Sequence, residues 1–273
     1  MTIARINGFD MHYREHGDGP PLVLVHGLLN STAMADALGE TPMYLADRFR
    51  LINYDARGHG RSGYTTNPAD YIWDALAEDL HELLRHLGIQ RATLWGGSVG
   101  GGTALVFALH HPEMVERLIL RPPPPLGQQA SAPGAQLFGG LALLIEGLGL
   151  EKAVDIALAL RPWAGLKEAS PEIFAWVRNW LLSLSAEGIV YAIRGIVLGP
   201  ELPHQRFHEI KAPTLIVAHP GDEIHPLASA EVVHRAIEGS RLVVAPSMIH
   251  YQLHPEELAA LVEQFLSEEA PAP

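Results

Sequence analysis

The chain contains no cysteine. That removes disulfides and thiolate metal sites, and leaves no redox clue to the compartment. Positive charge is scarce: 19 Lys and Arg against 31 Asp and Glu give a formal net charge of −12. Such a balance argues against nucleic acid or an anionic membrane surface as a partner. No run of about 18 apolar residues is present to span a membrane. Residues 1–10 carry no basic stretch followed by an apolar one, so no secretion signal is expected and a cytoplasmic location is. What remains is ordinary for a globular protein. An apolar fraction of 48% over 273 residues suits one large domain, or a core with an inserted subdomain.

Apolar periodicity alternates between strand and helix. Strands are expected over 2–6 and 11–15, as a hairpin around Asn7-Gly8-Phe9-Asp10. Buried-type strands follow over 22–25, 51–54, 92–95, 117–120, 214–218 and 242–245. Helices are expected over 41–48, 71–87, 99–110, 229–237 and 255–266. Strands alternating with helices predict an α/β fold, a mostly parallel central sheet flanked by helices. The alternation breaks after Pro122, where Pro122 to Pro125 reads as stiff polyproline. Helical stretches then cover 134–147, 151–161, 171–185 and 186–198. The expected organisation is a core of residues 1–122 and 200–273, with a helical insertion at 123–199.

One motif stands at a chemically informative junction. Gly96-Gly97-Ser98-Val99-Gly100 lies between a predicted strand and a predicted helix, a turn that raises a serine hydroxyl above the sheet. Small flanking residues suit that turn, and the helix N-terminus behind it favours an oxyanion. A serine nucleophile needs a histidine base, held in the right tautomer by a carboxylate. In this fold order the acid follows a later strand and the histidine the last one. Asp222 lies in the turn after 214–218, and His250 in the loop after 242–245. Both therefore fall at strand carboxyl ends, where open α/β sheets bind ligands. An oxyanion hole needs two backbone donors. Val99 directly follows the serine, and Leu28 follows the His26-Gly27 end of an early strand.

Other residues compete for these roles. Of the 15 histidines, His254 and His225 are the alternatives to His250. His26 reads as support for its loop, and His59 as part of the Arg57-Gly58-His59-Gly60 turn. Glu223 neighbours Asp222 and is expected to face solvent, while Asp55 fits an anchor for residues 57–62. His81/His86, His110/His111 and His204/His208 lack an H-E-x-x-H context, so no metal is expected. Trp163, Trp176, Trp180 and Tyr191 lie in the insertion. They either pack it onto the core or line an apolar substrate pocket. Arg161, Arg178 and Arg194 read as solvated or ion-paired rather than as ligands for a substrate carboxylate.

Taken together, the chain resembles the α/β-hydrolase superfamily. The resemblance rests on His26-Gly27, Asp55 to Ser62, Gly96 to Gly100, Gly221-Asp222, and His250 with His254-Pro255 beyond it. It implies Ser98 as nucleophile, His250 as base, Asp222 as orienting acid, and Leu28 and Val99 as oxyanion donors, with a helical cap at 123–199. Two departures are visible. Ile249 stands where members usually carry glycine before the histidine, and Val99 stands where methionine or glutamine often follows the serine. A serine at this position, in place of the aspartate of related epoxide hydrolases and dehalogenases, points to acyl chemistry.

The expectation is thus a cofactor-independent serine esterase acting on a small-molecule ester or lactone. The alternatives are a C–C bond hydrolase, a perhydrolase or acyltransferase of the same fold, or a ligand receptor on a hydrolase scaffold. A homodimer through an apolar cap face is left open.

Overall fold

A computed structural model describes residues 2–160 and 165–268, with the backbone alone for residues 128–131 and 166. Eight strands build the sheet: β1 (Thr2–Ile6), β2 (Phe9–His16), β3 (Pro21–Val25), β4 (Arg50–Tyr54), β5 (Ala92–Gly96), β6 (Val115–Leu120), β7 (Thr214–Ala218) and β8 (Arg241–Val244). Their spatial order is β1-β2-β4-β3-β5-β6-β7-β8. The pairs β1–β2 and β2–β4 are antiparallel, and β3 through β8 run parallel with β4. This is the mostly parallel sheet that the alternation predicts.

Helices α1 (Thr32–Ala37), α2 (Trp73–His86) and α3 (Val99–His110) connect the early strands. Between β6 and β7 lie α4 (Gln128–Leu148), α5 (Leu150–Ala159), α6 (Leu166–Ala169), α7 (Pro171–Leu182) and α8 (Ala186–Ala192), the last continued by a π-helical turn, Ile193–Val197. The chain closes with α9 (Leu227–Ala236), α10 (His250–Leu253) and α11 (Pro255–Ser267). No single helix among the described residues is long and apolar enough to cross a membrane.

Strand periodicity divides the core into two layers. Val23 and Val25 face α2 and α3, joining Leu80, Leu105 and Phe107. Leu22 and Leu24 face the other side, with Leu45, Val262 and Phe265. A strand buried on both faces reads as a continuous apolar run, which is how β3 reads. A third cluster binds the β6–β7 helices together through Ile145, Val154, Leu181 and Ile189, and it takes in Leu29 from the loop after β3.

One early helix differs from expectation. Residues 41–48 form only a short 3-10 turn, Met43–Leu45, preceded by Pro42. The helix lies upstream as α1, where the Ser31 hydroxyl accepts the Met34 N–H at 3.2 Å. Ser31 is a standard N-cap residue type, satisfying a donor that has no partner within the helix.

The α3 start is packed without spare volume. A Cβ built at Gly100 would stand 1.8 Å from the Val25 carbonyl oxygen. Gly140, inside α4, has nothing within 4 Å of the same position. Gly100→Ala should therefore lower unfolding free energy by roughly 3 kcal/mol or more, while Gly140→Ala raises it by about 0.5–1 kcal/mol through helix propensity. Urea denaturation of the two variants checks this, and equal effects would contradict it.

Candidate active site

Ser98 occupies the β5–α3 junction at φ 53° and ψ −117°. A non-glycine residue in that region is strained and persists only where its surroundings dictate it. Here they do. A Cβ at Gly96 would meet the Gly100 carbonyl oxygen at 2.3 Å, so the strand end and the first helical turn lie in direct contact. The Ser98 N–H donates to the Pro122 carbonyl at 2.7 Å, tying the turn to the end of β6.

The second part of the site comes from the turn after β7. Asp222 Oδ1 accepts the backbone N–H groups of Ile224 at 2.8 Å and His225 at 2.9 Å. Such a turn, closed by an aspartate's own side chain, brings residue 225 back over residue 222. The His225 ring completes the arrangement, with Nδ1 3.0 Å from Asp222 Oδ2 and Nε2 2.8 Å from Ser98 Oγ. A carboxylate only accepts, so Nδ1 carries the proton and Nε2 is left to accept the serine hydroxyl. Burial acts to raise the Asp222 pKa. The hydrogen bonds from the His225 ring and backbone, with that from Ile224, outweigh it and bring the group down to about 2.

Ser98 is therefore reached by His225 and not by His250, which corrects the expected placement of the base. His250 Nε2 bonds Glu257 Oε2 at 2.8 Å, and its ring lies 5.0 Å from that of His254. Met248, Tyr251 and Gln252 border the Ser98 cavity, while the His250 ring is drawn to Glu257 in the first turn of α11. Two sequence signals mark the difference: the three-residue step from Asp222 to His225, and Ile249 where glycine is usual.

Two cavities open on Ser98. One, of about 290 Å³, is the more polar of the two and includes His26, Asn30, Arg121, Asp222 and His225 in its wall. The other, of about 270 Å³, is apolar and includes Leu28, Trp73, Val99, Phe138 and Ile224. Leu28 and Val99 thus both line a cavity with Ser98. Gly27 lies against the nucleophile, since a Cβ there would stand 3.4 Å from Ser98 Cβ. The loop carrying Leu28 is held by several bonds. His26 Nδ1 donates to the Gly27 carbonyl at 2.8 Å and Nε2 accepts the Ala56 N–H at 2.9 Å. With burial lowering its pKa, His26 is a neutral support. Asp55 accepts the N–H groups of Thr32 at 2.6 Å and Arg61 at 2.9 Å, fixing the neighbouring turn.

The aromatic residues of the insertion have other work than lining the pocket. Trp176, Trp180 and Tyr191 border neither Ser98 cavity. Trp180 Nε1 donates to the Leu29 carbonyl at 3.0 Å, bracing the loop that carries Leu28. Tyr191 stacks on Tyr71 with ring centroids 6.4 Å apart, and Trp176 is 40% exposed. Trp163 and Arg161 lie outside the described residues. Arg178 pairs with Asp155 at 2.8 Å, and Arg194 with Glu146. Metal-ligand types gather at Glu78, His81 and His111, and at His254, Glu256 and Glu257. Neither group borders Ser98.

A strained serine at a strand-to-helix turn, bonded to a histidine that a carboxylate orients, defines a hydrolase-type site on a parallel sheet. A family model described as alpha/beta hydrolase fold matches residues 20–147. The AB hydrolase superfamily protein YisY of Bacillus subtilis (strain 168) is 30% identical over 261 residues, spanning 91% of this chain and 92% of that protein. The crystal structure of the enol-lactonase from Burkholderia xenovorans LB400 matches with a TM-score of 0.82 and 26% identity, covering 98% of this chain and 100% of that one. A thermophilic esterase from Thermogutta terrifontis matches with a TM-score of 0.76 and 25% identity, covering 97% and 98%. The chain belongs to the α/β-hydrolase superfamily, and its similarity to an esterase and a lactonase supports hydrolase activity.

The depressed Asp222 pKa carries a stability consequence. The ionised carboxylate stabilises the fold fully above its unfolded value near 4, and that contribution disappears as pH falls through about 2. At neutral pH Asp222→Asn should cost about 2 kcal/mol. The difference from wild type in denaturant unfolding should shrink as pH drops from 4 to 2, whereas a difference constant across that window would contradict the account.

Proposed function

We propose that the protein hydrolyses small carboxylic esters or lactones through an acyl-enzyme on Ser98, with His225 as base and Asp222 as its orienting acid. The observation that supports this reading is the continuous pair of bonds at His225, 2.8 Å to Ser98 Oγ and 3.0 Å to Asp222. Ser98 Oγ attacks the carbonyl carbon while Nε2 takes its proton. The N–H groups of Leu28 and Val99 hold the tetrahedral oxyanion, Val99 N–H being the first of α3 and having no acceptor within the helix. The protonated His225 then gives its proton to the leaving alkoxide, and the Ser98–acyl bond remains. Water repeats the sequence with the same base, releasing the acid and restoring Ser98. Asp222 holds Nδ1–H in place and stabilises the imidazolium, staying ionised throughout.

The alcohol side of the substrate belongs near His225, which protonates it, and therefore in the polar cavity. An apolar acyl chain belongs in the cavity walled by Trp73 and Phe138. A cofactor has no step in this sequence.

Hydrolysis of 4-nitrophenyl acetate through decanoate separates the two histidines. Ser98→Ala and His225→Ala should lose about 10⁴-fold or more in kcat/KM, and His250→Ala should stay within about threefold of wild type. A His250→Ala variant as inactive as Ser98→Ala would overturn the assignment.

A further inference from the structure

Arg121 is the one described arginine that is neither exposed nor ion-paired. Twelve others pair with a carboxylate within 4.0 Å, and Arg48 and Arg61 are exposed. Arg121 follows β6 directly, and its backbone is part of the nucleophile turn. Its N–H donates to the Gly96 carbonyl at 2.9 Å, and its own carbonyl leaves no room for a side chain at Gly97, where a Cβ would stand 2.4 Å away. The side chain borders the polar cavity together with Ser98 and His225. Its guanidinium lies 5.7 Å from the centroid of the Tyr251 ring.

No side-chain acceptor among the described residues bonds that guanidinium. Glu40 borders the same cavity, but it lies beyond ion-pair distance and accepts instead from Asn30 Nδ2 at 3.2 Å. Burial lowers the Arg121 pKa, with Glu40, Tyr251 and Tyr44 acting in the opposite direction. A guanidinium withdrawn from water without a partner is costly, and it presents a planar fork of donors matched to a carboxylate.

We propose that Arg121 is a substrate-binding residue that recognises a carboxylate, so that the preferred substrate is an ester or lactone bearing a carboxylate on its alcohol side. The proposal rests on the hydrolase reading above and names its substrate class. The charge count of the cavity selects a monoanion. One cation without an ion-pair partner borders the cavity that holds Ser98, while Asp222 and Glu40, which border it too, would repel a second negative charge. The location selects the alcohol side, because Arg121 borders the cavity that holds His225, the group that protonates the leaving alcohol.

The test compares 4-carboxyphenyl butanoate with 4-carbamoylphenyl butanoate, near-isosteres that differ by one charge. The readout is the ratio of their kcat/KM values, which cancels any change in absolute rate. In Arg121→Gln that ratio should fall about ten- to hundredfold, and Arg121→Lys should recover part of the loss, keeping the charge without the fork. An unchanged ratio in a folded Arg121→Gln protein overturns the proposal. If that variant does not fold, the ratio in Arg121→Lys decides: a severalfold drop supports the proposal and none overturns it. A parallel titration of the Ser98→Ala protein with 4-hydroxybenzoate needs no turnover. Binding that weakens at least tenfold when Arg121→Gln is added supports the carboxylate site, and no millimolar binding overturns it. Should wild type cleave neither ester while this binding holds, the hydrolase reading fails and the anion site stands.

Discussion

Between β3 and the first turn of α3 there is no space for a methyl group, and the geometry of the site follows from that contact. Gly100 lies against the Val25 carbonyl and Gly96 against the carbonyl of Gly100. The strand therefore turns into the helix within a few residues, with Ser98 at φ 53°. The same contact holds α3 against the sheet, with Ser98 immediately before its first residue, Val99. Strain at one residue is sustained by many buried neighbours, among them Leu105 and Phe107 of α3.

Asp222 and His225, the proposed acid and base, come from a single short turn. Asp222 uses one carboxylate oxygen to close the turn through two backbone N–H groups and the other to hold the His225 ring. Closing the turn also positions the base, so the acid–base geometry needs no long-range contact. The loop after β8 is then free to supply Met248 and Tyr251 to the cavity wall. His219 adds a neighbour, with Nε2 3.6 Å from Asp222 Oδ2. The β6–β7 helices act at longer range: Trp180 reaches across to Leu29, two residues before Ser31 caps α1. Truncating that indole would remove a bond to the loop after β3 without altering the wall of either Ser98 cavity.

Much of this was legible in the residues. Apolar runs located all eight strands, and Gly96 to Gly100 located the strand-to-helix turn at Ser98 because its glycines answer to steric needs visible in the motif. Asp222 was legible for a similar reason, as the carboxylate that follows glycine in a turn. The histidine was not. Loop order points to His250, but the direction of a side chain on the four-residue α10 depends on which neighbours face the cavity, and Met248 and Tyr251 do. His225 stood three residues beyond Asp222, a spacing whose meaning appears only when the turn closes. The insertion aromatics misled in the same way, since composition does not say whether an indole lines a cavity or, like Trp180, donates to a backbone carbonyl. The two cavities were likewise hidden, because residues far apart in sequence, such as Arg121 and His225, come to border one space only in the folded chain.

The assignment of His225 as the base is the central claim, and chemical rescue tests it most directly. Imidazole added to the His225→Ala protein should restore ester hydrolysis in proportion to its concentration, because the missing ring leaves a space beside an intact Ser98 and oxyanion loop. It should do nothing for Ser98→Ala. Rescue of His250→Ala with none of His225→Ala would contradict the account and return the base to the loop after β8.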